Sequence, residues 1–261
     1  MRKDISIISA ALLVLFVAAA VISAGCTGNT DTTGPVTGTP TPETTPEIPP
    51  EMPPAPSEKE TSPSPYAKAV YGPGCQNETV ALPGGVHLLT FTQDTPAEST
   101  VSITTEKDYI SVKNVYNPAV AEQSMKDGKY YWSQAFMLEE AANATVQVDT
   151  EGEWTLVFSF PQQINGIVPQ TFTGAANKAT PFFQINGGTY DFSVKAENND
   201  VVGVHLMDYY GNDVEVDNCQ MPLAFHEGTY GDVVTVTINE SSNYLFNVIC
   251  DGNWTVSVAV A

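Results

Sequence analysis

The segment Tyr244-Leu245-Phe246-Asn247-Val248-Ile249-Cys250-Asp251-Gly252-Asn253-Trp254-Thr255-Val256-Ser257-Val258 decides how this chain folds. Tyr244, Phe246 and Val248 recur at every second position, and Trp254, Val256 and Val258 do the same beyond Asp251-Gly252. Side chains of a strand point alternately to opposite faces, so period two marks half-buried strands rather than a helix. Asp-Gly between two such runs reads as a hairpin turn whose glycine supplies a positive φ.

One hundred residues earlier the same arrangement occurs: Ala144-Thr145-Val146-Gln147-Val148 runs through Glu151-Gly152 into Glu153-Trp154-Thr155-Leu156-Val157-Phe158. Working outward, Gly84-Gly85 opens an apolar run through Leu88, Leu89 and Phe91, and Gly187-Gly188 opens one through Tyr190, Phe192 and Val194. Val101, Ile103 and Val112 stand opposite Val202, Val204 and Asp213, and Gly128 and Tyr130 stand opposite Gly228 and Tyr230. Landmarks recurring in one order at one spacing indicate two copies of a single unit. The only helical challenger, Ala119 to Met125, is short. The expected fold is all-β: two tandem antiparallel β-sandwich, jelly-roll-like modules over residues 66–165 and 166–261.

What precedes the modules is of another kind. Arg2 and Lys3 lead an apolar run from Ile5 to Val21, followed by Ser23-Ala24-Gly25-Cys26. A basic start, an apolar stretch and small residues before a cysteine read as a lipoprotein-type signal over residues 1–26, with Cys26 as the lipidation site. The alternatives are an uncleaved membrane anchor or simple release after cleavage. Residues 27–65 are dominated by Thr, Pro, Gly, Ser and Glu with few apolar side chains, too few to offset the entropy of ordering. Such a proline-rich stalk favours extended polyproline II and reaches on the order of 100 Å.

The order Gly-Gly before an aromatic strand, Gly128-x-Tyr130 or Gly228-x-Tyr230, and then Glu151-Gly-x-Trp154-Thr or Asp251-Gly-x-Trp254-Thr resembles the β-sandwich modules appended to archaeal and bacterial surface lipoproteins. The signal and Thr/Pro stalk are similar to those of methanogen surface proteins in particular. The resemblance implies a sandwich fold displayed outside the cell and carries over no catalytic residue. It is closer in the second copy; the first has Glu153 in place of Asn253 and a longer middle loop.

Thirty acidic residues against 10 basic ones give a net charge of -20, and 23 of the acids and 7 lysines fall from Tyr66 onward. That surface repels phosphate backbones, which excludes nucleic acid as a partner. No Gly-x-Ser-x-Gly, phosphate-loop or dinucleotide motif occurs, so no enzyme is expected. His87, His205 and His226 match neither zinc spacing nor a nucleophile pattern and read as strand residues.

Trp154 and Trp254, at duplicated positions, either plug the sandwich ends or stack on a sugar. In Tyr130-Tyr131-Trp132, alternation sends at least one ring outward; Tyr130 and Trp132, with Tyr209 and Tyr210, are the candidates for glycan stacking, unless a neighbouring module covers that sheet face. Asp208, Asp213 and Asp217, among other acids of that region, have the oxygens calcium takes, though without a calcium-loop consensus. Calcium is the one cofactor these side chains suggest. In an oxidising compartment Cys219 is expected to pair with Cys250, leaving Cys75 odd. Asn77, Asn143 and Asn239 head N-glycosylation sequons; Asn253, beside a packed tryptophan, is the least suited to modification. Together these features point to a noncatalytic display or adhesion lipoprotein, held at the outer face of the membrane by its lipid or N-terminal anchor. Its partner would be an envelope protein or glycan. A structural spacer and a solute- or cation-binding lipoprotein serving a transporter are the alternatives.

Overall fold

The computed structural model describes residues 66–214, 216 and 222–261. Cys26 and the signal or anchor, the stalk, Asp217 and Cys219 lie outside the described residues. Nine strands make the first sandwich: β1 (Ala67–Pro73), β2 (Gln76–Leu82), β3 (Gly85–Gln93), β4 (Ser99–Thr104), β5 (Tyr109–Asn114), β6 (Met125–Lys126), β7 (Lys129–Leu138), β8 (Ala142–Asp149) and β9 (Glu153–Ser159). One sheet runs β1-β9-β3-β7-β6 and the other β2-β8-β4-β5.

The second sandwich holds β10 (Gln163–Ile167), β11 (Gln170–Ala175), β12 (Lys178–Ala179), β13 (Phe182–Ile185), β14 (Gly188–Glu197), β15 (Val201–Asp208), β16 (Ala224–Glu227), β17 (Tyr230–Ile238), β18 (Ser242–Cys250) and β19 (Asn253–Val260). Its sheets run β11-β19-β14-β17 and β10-β13-β18-β15-β16, with β12 also on β18. Among the described residues, only β10 and β13 pair in parallel. Setting β6 aside, the first sandwich places its first, eighth, third and sixth strands in one sheet and its second, seventh, fourth and fifth in the other. That is jelly-roll threading, and the second sandwich repeats it with β12 and β13 sharing the second place and β10 added at the edge.

Alternation places the cores as expected. Trp154, Leu156 and Phe158 of β9 point into the first core and Trp254, Val256 and Val258 of β19 into the second. Full burial of each such side chain contributes about 1.5–3 kcal/mol. Both tryptophans are plugs: the Trp154 indole N–H donates to the Gly74 carbonyl at 2.7 Å and that of Trp254 to the Ala176 carbonyl at 2.9 Å. Gly174 packs its bare backbone on the Trp254 ring, where a Cβ would overlap the indole.

Two expectations need correction. The turns at Glu151-Gly152 and Asp251-Gly252 do not close hairpins; β8 and β9 lie in opposite sheets, as do β18 and β19. Two alternating runs that face one core look alike whether they are neighbours in a sheet or partners across the sandwich. Gly152 does adopt φ 77°, but Gly252 is not at positive φ; it is glycine because a Cβ there would collide with the carbonyls of Glu197 and Asn198. The helical challenger shrinks to a single 3-10 turn, Pro118–Val120, capped by Asn117, whose side chain accepts from the Ala119 N–H at 2.9 Å.

Candidate functional site

Strand β7 decides what faces outward. Trp132, Phe136 and Leu138 lie in phase in the first core, so Tyr131, Ser133, Ala135 and Met137 fall on the outer face of the sheet. Trp132 is 1% exposed, its indole N–H donating to Ser99 Oγ at 2.8 Å and its ring stacked on Phe91, which removes it as a sugar platform. Tyr130 shares that inward parity at the sandwich edge, its ring edge-on to Tyr116. The hydroxyl contact with Tyr116, and secondarily burial, raise its pKa above the ordinary 10. Alternation was right that one ring turns outward; it is Tyr131.

The second sandwich covers much of this outer face. Val86 and Ala135 pack with Ala179, Phe182, Met207 and Leu245 in an apolar cluster between the sandwiches, joined by Leu88, Phe160 and Tyr209. Polar groups lock the joint. The Ser133 N–H donates to the Asn177 carbonyl at 3.0 Å, and the Ala179 N–H to Ser133 Oγ at 3.2 Å. The Asn177 amide donates to the Lys113 carbonyl at 2.8 Å and accepts from the Cys250 N–H at 3.0 Å. Asn247 pairs with both the N–H and the carbonyl of Ala135, each at 2.9 Å.

Beside this joint opens a cleft of about 970 Å³. Its floor is the sheet face at Leu88, Thr90, Tyr131 and Ser159; the linker Phe160-Pro161-Gln162-Gln163 forms one wall. Ala175 and Lys178–Pro181 of the second sandwich form another, and the turn Gln123–Lys126 a third, with Tyr66 at the margin. The Lys126 ammonium lies 5.2 Å from the centre of the Tyr131 ring. The described lining holds amides, hydroxyls, aromatic rings and two lysines, with no histidine, cysteine or carboxylate.

Tyr209 is half-buried against Phe160 and Phe182 in the joint, whereas Tyr210 is 69% exposed. They meet edge-on at 88°, so they form no coplanar platform. The Asp208 carboxylate is taken up by the N–H groups of Tyr210 and Asn212, at 2.9 and 2.8 Å, and Asp213 by His205 at 3.1 Å. Among the described residues no three His, Cys, Asp or Glu side chains gather as a metal would need. Cys250 is a free, buried thiol, its pKa pushed up to about 11 by desolvation, so the disulfide expected with Cys219 is not seen. Cys75 is exposed, its thiol donating to Asp149 at 2.8 Å, a bond that raises its pKa. Asn77, Asn143 and Asn239 are all exposed.

Sequence reasoning missed Lys126, Lys178, Phe160 and Gln162-Gln163. The signal available was the linker itself, where an aromatic residue, a proline and two amides interrupt the alternation between the copies.

No family model matches this chain, and no curated protein matches it in sequence. Among solved structures, it is similar to the PBSX exported protein XepA at 10% identity over 76% of this chain and 87% of that one, TM-score 0.25. It is also similar to the major capsid protein P2 of bacteriophage PM2 at 12% identity over 74% and 96%, TM-score 0.25. A third is the CBM22-1-CBM22-2 tandem domain of Paenibacillus barcinonensis Xyn10C, at 8% identity over 78% and 87%, TM-score 0.22. At these scores the likenesses carry no argument about function.

Proposed function

We propose that this chain is a noncatalytic cell-surface display or adhesion lipoprotein, anchored through Cys26, whose paired sandwiches bind an envelope component, a protein or glycan, in the cleft at their joint. The observation that carries this reading is the cleft itself. Its size suits an extended ligand, and its lining mixes aromatic rings with the amides and hydroxyls that fix orientation. The lining supplies hydrogen bonds and contact area rather than a nucleophile and base. The locked joint keeps the walls from moving apart, so little ordering cost opposes binding.

Co-sedimentation of the full chain with envelope preparations tests this. Ser159→Trp fills the cleft from its floor while leaving both cores untouched. The expected result is retention by the native chain and at least a tenfold loss in the variant at an unchanged melting temperature. Equal retention of both would move the binding surface elsewhere, and no retention of either would sink the adhesion reading.

A further inference from the structure

We infer that the cleft takes an anionic oligosaccharide, a sugar chain bearing carboxylate or sulfate groups, with Lys126 and Lys178 as its charge contacts. This rests on the reading of the cleft as the binding surface and specifies what enters it.

The distribution of charge singles the cleft out. From Tyr66 onward acids outnumber lysines 23 to 7. Lys107, Lys113 and Lys129 are each ion-paired, to Glu140, Glu98 and Asp94 at 3.0, 2.8 and 2.7 Å. Four lysines, Lys68, Lys126, Lys178 and Lys195, have no carboxylate partner among the described residues, and two of them, Lys126 and Lys178, line this one cleft, which no carboxylate lines. They come from different sandwiches, β6 and β12, so only the assembled joint brings them to one cavity. In a chain this acidic, two uncompensated ammonium groups in a carboxylate-free cleft make a local reversal of field that selects anions.

The rest of the lining selects the class of anion. Gln123, Gln162 and Gln163 offer amides that both donate and accept, as vicinal hydroxyls require, and Tyr131 and Phe160 offer ring surface for a sugar face. An acidic peptide bound in extended form would need a free strand edge. The floor offers none, because β3 is hydrogen-bonded to β7 on one side and β9 on the other, and the edge strands β6 and β10 enter the lining only through Met125, Lys126 and Gln163.

The test measures calorimetric binding of four probes to the full chain: oligogalacturonate, its fully methyl-esterified neutral form, a sulfated dextran oligosaccharide and hexaglutamate. The inference expects one or both acidic sugars to bind, the neutral ester to bind at least tenfold more weakly, and affinity to fall as salt rises. Lys126→Gln with Lys178→Gln should cost the acidic sugar a further tenfold or more, while Lys195→Gln, on β14, should change nothing. Binding by neither acidic sugar, or equal binding by the double variant, overturns the inference. Tighter binding of hexaglutamate replaces the sugar with a peptide. Retention on envelopes that survives the double variant overturns this inference alone, whereas its absence in the native chain removes the adhesion reading beneath it.

Discussion

His87 shows how far a single side chain can be committed to structure. Its ring is buried, stacked on Phe136 with centroids 5.0 Å apart and edge-on to Tyr66. Nε2–H donates to the Pro83 carbonyl at 2.9 Å, which leaves Nδ1 to accept from the Tyr66 hydroxyl. Both bonds suit the neutral imidazole. Desolvation pushes its pKa below the ordinary 6.5, with the Pro83 bond opposing more weakly. Above about pH 6.5 both folded and unfolded chains hold it neutral, and stability is flat with respect to this group. Below that, the unfolded chain takes up a proton the folded chain refuses, and stability falls as pH drops. His87→Phe, which keeps the stack and removes the proton site, should flatten this part of the profile. Urea midpoints at pH 7.5 and 5.0 check it; an identical pH slope in both proteins would mean the native imidazole titrates freely.

At the scale of elements, Asn247 of β18 acts as a one-residue continuation of a β-ladder, its amide matching both backbone groups of Ala135 on β7 across the joint. Both partners are buried, so loss of the amide leaves a donor and an acceptor without water. Asn247→Leu should destabilise the chain by about 2–6 kcal/mol, the sum of two desolvated backbone groups at about 1–3 kcal/mol each. Asn247→Asp should cost more, because it faces a carboxylate to the Ala135 carbonyl in a buried place. Equilibrium denaturation of the three proteins gives the order, and a leucine variant as stable as the native chain would show that the joint admits water. The strands, the duplication and the tryptophan plugs were legible in the sequence, because period two and a repeat of one hundred residues are local and countable. The site was not. Which of Tyr130, Tyr131 and Trp132 faces out depends on a parity set by Trp132, Phe136 and Leu138 entering the core together, and which runs pair depends on contacts far apart in sequence. Asn247 reads as one more polar residue on a strand, and nothing near Lys126 or Lys178 in sequence announces that the two meet at one cleft.

For the whole molecule, the joint determines whether two jelly rolls behave as two domains or one. Each has its own core, and repeats of this kind fold through intrinsic stabilities plus a term for the interface between neighbours. Here that term is large. Six buried side chains, Val86, Ala135, Ala179, Phe182, Met207 and Leu245, form a continuous apolar patch framed by the Ser133, Asn177 and Asn247 bonds. Opening it would expose that patch and strand several backbone groups, so neither sandwich can melt without removing stability from the other. The native chain should therefore unfold in a single calorimetric transition whose van't Hoff and calorimetric enthalpies agree. Ala135→Glu places an unpaired carboxylate in the middle of the patch, at a cost of several kcal/mol, while its side chain points away from both cores. It should split the endotherm into two transitions and keep the strand content seen by circular dichroism. Two separate transitions in the native chain would instead make the joint a contact of independent domains, and the cleft beside it, whose walls come from both sandwiches, would then lose the rigidity on which its selectivity depends.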